Sequence, residues 1–140
     1  MNRCLIYLVL IVLPLTSMFS SCATRVRFDN SAVVPAAEGK VVIKKDGNRN
    51  YVIDLKVKNL APSDKLQPPK PTYVVWIATE NNGIKNIGQL NSSSGWLSSS
   101  LEGSLKAVTA FHPKRIFITA EDNPSIQYPG PQSIMTTPDF

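Results

Sequence analysis

The sequence predicts an all-β fold, an antiparallel β-sandwich of about seven strands, and three observations carry that reading. Residues 51–58 alternate, with Tyr51, Ile53, Leu55 and Val57 interleaved among Val52, Asp54, Lys56 and Lys58. That period of two gives a sheet one buried and one wet face. The pairs Asp46-Gly47 and Asn82-Gly83 lie between apolar runs and are strong hairpin signals, because glycine tolerates positive φ. Turn signals then recur every ~8–12 residues, the spacing of a sandwich. A length of 140 residues allows one domain, and 43% hydrophobic content argues against wholesale disorder.

Residues 1–21 read as an export signal. Met1-Asn2-Arg3 is a short cationic start, and the 12 residues 4–15 (CLIYLVLIVLPL) are apolar throughout. At ~1.5 Å per residue this run spans ~18 Å, short of the ~30 Å hydrocarbon core. It fits the apolar region of a secretory signal better than a transmembrane helix. Small and polar residues follow, closing on Phe19-Ser20-Ser21-Cys22. Residues 22–37 read as the start of the mature chain and a tether. They mix Arg25, Arg27 and Asp29 with Val26, Phe28, Val33 and Val34, without a helical period. The sandwich domain is expected over residues 38–140.

Within that domain residues 40–45 and 51–60 form a hairpin across residues 46–50. Residues 61–72 carry four prolines in twelve positions, which excludes helix and central strand and makes them a crossover loop. Residues 73–79 (YVVWIAT) are apolar on both faces, the pattern of a central strand covered on both sides. Residues 84–91 return antiparallel, and residues 92–95 read as a loop. Over residues 96–105 the leucines Leu97, Leu101 and Leu105 stand four apart, which alone permits a short helix. Gly103 and the serines before it favour an irregular strand. Residues 115–121 form a strand, 123–132 a proline-glycine loop and 133–137 a last strand. The expected core holds Ile53, Leu55, Val57, Val75, Trp76, Ile77, Ile116, Ile118 and Ile134.

The end of the leader resembles the lipobox of a bacterial lipoprotein precursor, where small residues precede a cysteine that is acylated and becomes the mature N-terminus. Ser20 and Ser21 fit, and Phe19 stands where leucine is usual. The resemblance implies lipidation at Cys22 and a lipid bilayer as partner there, since several acyl chains on one residue anchor stably where one is marginal. It also implies a cell-envelope location. Ala23 is not the aspartate that retains enterobacterial lipoproteins in the inner membrane, which points to the outer membrane, facing the periplasm.

Lys65–Thr137 resembles the extracytoplasmic C-terminal domain of anti-sigma-K-factor-type proteins. The matching run has a proline-rich lead-in to Tyr73-Val74-Val75-Trp76-Ile77, then Gly83 and Gly88 in the return hairpin. It continues as strand, loop and strand from Ile116 through Tyr128-Pro129-Gly130 to Ile134. This resemblance implies an immunoglobulin-like form of the sandwich. It does not carry the family's hold on a sigma factor, which rests on a separate cytoplasmic domain.

Residue inventory excludes most chemistry. Cys4 and Cys22 are the two cysteines and His112 is the single histidine. Beyond Cys22 a disulfide scaffold, a thiolate metal site and a cysteine nucleophile are therefore ruled out. A type 1 copper centre needs one cysteine and two histidines, and zinc lacks ligands as well. No Gly-x-Ser-x-Gly elbow occurs, and His112 precedes Pro113 in an expected loop. Glu38, Glu80, Glu102 and Glu121 stand mostly at turns, where turn chemistry already accounts for them. Glu121-Asp122-Asn123 offers oxygen ligands for calcium, but Asp-Asn-Pro makes an excellent turn. No catalytic residue, metal or cofactor is expected.

The formal charge is +5, and loss of Arg3 with the leader leaves +4. Scattered charges of that size do not suggest nucleic acid. Lys44, Lys45, Arg49, Lys56 and Lys58 gather around the first hairpin and suit either lipid phosphates or a solvated face guarding an edge strand. Interruption by Asp46 and Asp54 favours the latter.

Trp96 in the serine-rich residues 91–100, and Tyr128 in the late loop, are the candidates for a recognition surface, since aromatics flanked by small polar residues suit peptide or glycan contact. Trp96 equally suits a plug at one end of the sandwich. The function expected is a membrane-anchored extracytoplasmic lipoprotein whose non-catalytic sandwich binds an envelope protein. The alternative is a small-ligand or glycan-binding lipoprotein. A concave aromatic pocket favours the second, a flat apolar patch or free edge strand the first.

Overall fold

Alternating apolar residues and turn-forming pairs produce nine antiparallel strands among the described residues. They are β1 Ala23–Arg27, β2 Glu38–Lys45, β3 Tyr51–Leu60, β4 Thr72–Thr79, β5 Ile84–Gln89, β6 Asn91–Ser94, β7 Leu101–Thr109, β8 Pro113–Glu121 and β9 Ser133–Thr136. The computed structural model describes residues 22–94 and 99–140. The export-signal reading of residues 1–21 and the recognition reading of Trp96 lie outside the described residues. One sheet has the order β1-β2-β3-β7-β6 and the other β5-β4-β8-β9. With β2 as the first strand, these are the ABED and C′CFG sheets of an immunoglobulin-like sandwich, and β1 is an added edge. No helix of the described residues is long and apolar enough to cross a membrane.

Local chemistry explains the two hairpins. In the β2–β3 turn Asp46 Oδ1 accepts hydrogen bonds from the amides of Asn48 and Asn50, each at 2.8 Å. The positive φ of 66° falls on Arg49, not Gly47, so the aspartate side chain organises this turn. In the β4–β5 turn Gly83 does take the left-handed conformation, with φ of 69°. The proline-rich crossover folds as expected and carries a short 3-10 turn at Ser63–Lys65. Tyr73 Oη closes it by donating to the Ala61 carbonyl at 2.7 Å.

The core lies between the sheets and includes Val41, Ile43, Ile53, Leu55 and Val57 from one and Val75, Ile77, Ile116 and Ile118 from the other. Ile134 joins them as expected. Trp76 is fully buried but stands outside this cluster, because its position alternates with Val75 and Ile77. It occupies the outward face of β4, paired in register with Phe117 of β8.

Three expectations change. Residues 23–37 are part of the domain and not a tether: β1 pairs with β2 along five residues, and Phe28, Val34 and Ala37 are buried. Asp29 donates its amide to the Thr136 carbonyl and Ser31 Oγ donates to the Ile134 carbonyl, at 2.8 and 2.6 Å. These bonds tie the segment to the β9 edge of the opposite sheet. Residues 92–94, expected as part of a loop, instead belong with Asn91 to the edge strand β6, because their backbone pairs with β7. Of the irregular strand expected over residues 96–105, residues 101–105 are extended and continue to Thr109, with a register shift against β3 between Val57 and Leu60, while residues 96–98 lie outside the described residues.

Candidate recognition site

Residues 122–132, between β8 and β9, begin where β8 ends at Glu121. They reach Asn86 on β5, so they cross the outward face of the intervening β4, about two strand spacings or ~10 Å. Asn86 Nδ2 donates to the carbonyls of both Pro124 and Ile126 at 2.9 Å. The Gly130 amide donates to Glu121 Oε1 at 2.8 Å. Lys70 Nζ meets Asp122 Oδ2 at 2.6 Å, and Gln132 Nε2 donates to the Pro68 carbonyl at 3.2 Å. Asn123 Oδ1 accepts the Ser125 amide at 2.8 Å, the turn that the Asp-Asn-Pro run suggested. The loop is thus pinned at both ends and across its middle.

Beneath it lies a buried hydrogen-bond chain. Trp76 Nε1 donates to Thr119 Oγ1 at 2.8 Å, and Thr119 Oγ1 donates in turn to Glu121 Oε1. Trp76 also stacks on Phe117, with centroids 6.3 Å apart and an interplanar angle of 13°. This arrangement explains why β4 is apolar on both faces: the core covers one and the loop covers the other. Glu121 was expected at a solvated turn. It is instead buried, because its carboxylate is the acceptor that joins strand and loop. A Cβ added at Gly130 would stand 2.7 Å from Glu121 Oε2, so any larger residue there would make the hydrogen-bonded carboxylate shift.

Among the described residues Tyr128 is the most exposed large apolar side chain, at 80%. With Ile84, Lys85, Asn86 and Gln127 it lines a shallow open groove of about 320 Å³. Sequence reasoning selected Tyr128 and missed Asn86, Thr119 and Glu121, which hold its loop. Thr119 and Glu121 share the face of Phe117 by the period of two, but only the register of β4 against β8 reveals the indole they serve.

Cys22 is exposed and stands directly before β1. β1 lies at the β9 side of the sandwich, as the Asp29–Thr136 bond requires, and β5 is the opposite edge of its own sheet. The two sequence-selected residues that the structure describes are therefore separated, Cys22 on one flank and Tyr128 beside the other.

Two of the other residues singled out in the sequence, His112 and Lys45, both contact the ring of Tyr51. His112 packs on Tyr51, with centroids 5.1 Å apart and an angle of 60°. Lys45 and Lys85 stand over the rings of Tyr51 and Phe111, at 5.4 and 5.1 Å. Arg115 Nε lies 2.6 Å from Asp139 Oδ1, and that hydrogen bond holds the Asp139 carboxyl below its ordinary range. Burial, with the nearby Asp64 charge, pushes the Tyr73 phenol up to about 12. Among the described residues no three His, Cys, Asp or Glu side chains gather closely enough to hold a metal ion.

Fold and site together define a small immunoglobulin-like β-sandwich that displays one aromatic residue on a pinned loop. No protein-family model, curated protein or solved structure matches the chain.

Proposed function

We propose that the protein is a lipoprotein of the bacterial cell envelope, anchored through acylated Cys22, whose non-catalytic sandwich binds a protein partner through the Tyr128 loop. The location proposed is the outer membrane, facing the periplasm. The observation that carries this reading is the combination of 80% exposure at Tyr128 with fixed backbone hydrogen bonds on both sides of it. A loop ordered before binding loses little entropy on association, and rigid exposed tyrosines are frequent anchors of interfaces. The signal-like leader and the Ser20-Ser21-Cys22 run support the anchor. The resemblance of Lys65–Thr137 to an extracytoplasmic module supports the compartment. The non-catalytic reading rests on residue chemistry, since His112 packs on Tyr51 and buried Glu121 serves the loop.

Glycan or small-ligand binding is the second reading, favoured by a groove that combines Tyr128 with Lys85, Asn86 and Gln127. It ranks lower because the Asn86 amide already serves two loop carbonyls. In-cell cross-linking and co-purification of the lipidated protein test the proposal, with Cys22→Ala and Tyr128→Ala as controls. An envelope protein captured by the native chain and lost with Tyr128→Ala is the expected result. Anchored protein that captures no partner, yet binds a glycan through the same residue, would overturn it.

A further inference from the structure

The outward face of the β1-β2-β3-β7-β6 sheet carries a charge pattern that the core and the loop site leave unused. Arg27, Lys40 and Lys56 are direct register partners across β1, β2 and β3, a row of three like charges at ~4.8 Å strand spacing. Like charges directly opposite one another destabilise a sheet. Arg25, Lys44, Lys58 and Lys106 share the face, by their register with these rows and their alternation with core positions. None of the seven makes an ion pair or a side-chain hydrogen bond among the described residues. The acids on the face are Glu38, Asp54 and Glu102. Seven cations against three acids give this one face the entire +4 charge of residues 22–140.

Apolar side chains interleave the charges. Lys44, Val52 and Val108 form one register row, and Val108 is 62% exposed. Asp46, which seemed in the sequence to interrupt a basic cluster, is taken up by its own turn. The cluster is also centred elsewhere than the first hairpin. It runs across four strands and includes Arg25 and Arg27, within ~10 and ~17 Å of Cys22 along β1 at ~3.3 Å per residue.

We propose that this face lies flat on a phospholipid surface containing anionic headgroups. The inference rests on the reading of Cys22 as the acylated residue. Cationic side chains near an anionic leaflet are each attracted to it, and interleaved apolar tips suit the interface. With β1 starting directly after the anchor there is no spacer to lift the domain away. The Tyr128 loop covers the outward face of the other sheet, so flat docking turns it away from the bilayer toward a partner.

The test uses the native protein from bacterial membranes, placed on vesicles of phosphatidylcholine alone or mixed equally with phosphatidylglycerol. Lysines are acylated with a membrane-impermeant reagent and read by mass spectrometry. Lys40, Lys56 and Lys106 are expected to react at least about threefold more slowly on the anionic vesicles, with Lys65 and Lys114 unchanged, and raised salt should erase the difference. The paired change Lys40→Glu with Lys56→Glu should abolish protection at Lys44 and Lys106. Equal labelling on both vesicles would overturn the proposal, as would protection by a soluble anionic polysaccharide without protection by anionic vesicles. The same digest weighs the N-terminal peptide. A bare Cys22 overturns the anchor reading, and the protein added to vesicles from solution then still decides whether the face binds anionic lipid.

Discussion

Replacing Thr119 by valine tests whether the buried chain beneath the Tyr128 loop stabilises the domain. Valine nearly matches threonine in shape, so the change removes Oγ1 and leaves β8 packed. Trp76 Nε1 then loses its acceptor and Glu121 Oε1 loses one of its two donors. Trp76 is fully buried and Thr119 is 1% exposed, so water cannot replace either bond. A buried donor without a partner costs about 1–3 kcal/mol, and a hydrogen bond to a charged group contributes about 1.5–3 kcal/mol. Because the two bonds share Thr119, a loss of about 2–4 kcal/mol is expected. At a urea slope of about 2 kcal/mol per molar, the unfolding midpoint should fall by about 1–2 M. Urea titration followed by far-ultraviolet circular dichroism measures it. Combining Thr119→Val with Glu121→Gln should cost less than the sum of the two single changes. A loss under about 0.5 kcal/mol, the range of ordinary surface substitutions, would refute the reasoning, as would strict additivity.

Gly130→Ala forces a Cβ to within 2.7 Å of Glu121 Oε2. It should destabilise by about 1–3 kcal/mol and speed amide exchange through residues 122–132, read by mass spectrometry. Tyr73 donates to Ala61 from a phenol whose pKa is raised to about 12. Its contribution is therefore complete below the ordinary phenol value near 10, and is lost as pH rises from there through about 12. Tyr73→Phe should flatten that part of the stability profile in denaturation series run across this range. Tyr128→Ala should leave the unfolding free energy within about 0.5 kcal/mol of wild type while removing the cross-linked partner.

Most of the sandwich was legible because its signals are local. Alternation over residues 51–58 marks a strand and its buried face whatever the neighbours are, and Asn82-Gly83 fixes a turn through the φ of Gly83 alone. The two edge strands of the five-stranded sheet were not legible. Residues 23–27 and 91–94 owe their extended form to pairing with β2 and β7, and Ser92, Ser93 and Ser94 carry no strand propensity of their own. Trp76 was correctly expected to be buried, but its face depends on register and its cover on a loop some fifty residues later. Glu121 misled for the same reason, since a carboxylate beside Asp122-Asn123-Pro124 looks solvated until the Gly130 amide is seen above it. The cationic face was hidden because Arg27, Lys40 and Lys56 are scattered in sequence and meet only through two strand registers.

The proposed lipid anchor, and the orientation of the domain inferred from it, rest on the fate of Cys22. The most direct measurement is the mass of the N-terminal peptide of the protein recovered from the membranes of a bacterium expressing the full chain. The account predicts a chain that begins at Cys22 and carries the added mass of a diacylglyceryl group, with Cys22→Ala protein absent from the membrane fraction in that form. A mature chain beginning elsewhere, or an unmodified Cys22 in membrane-bound protein, would contradict it.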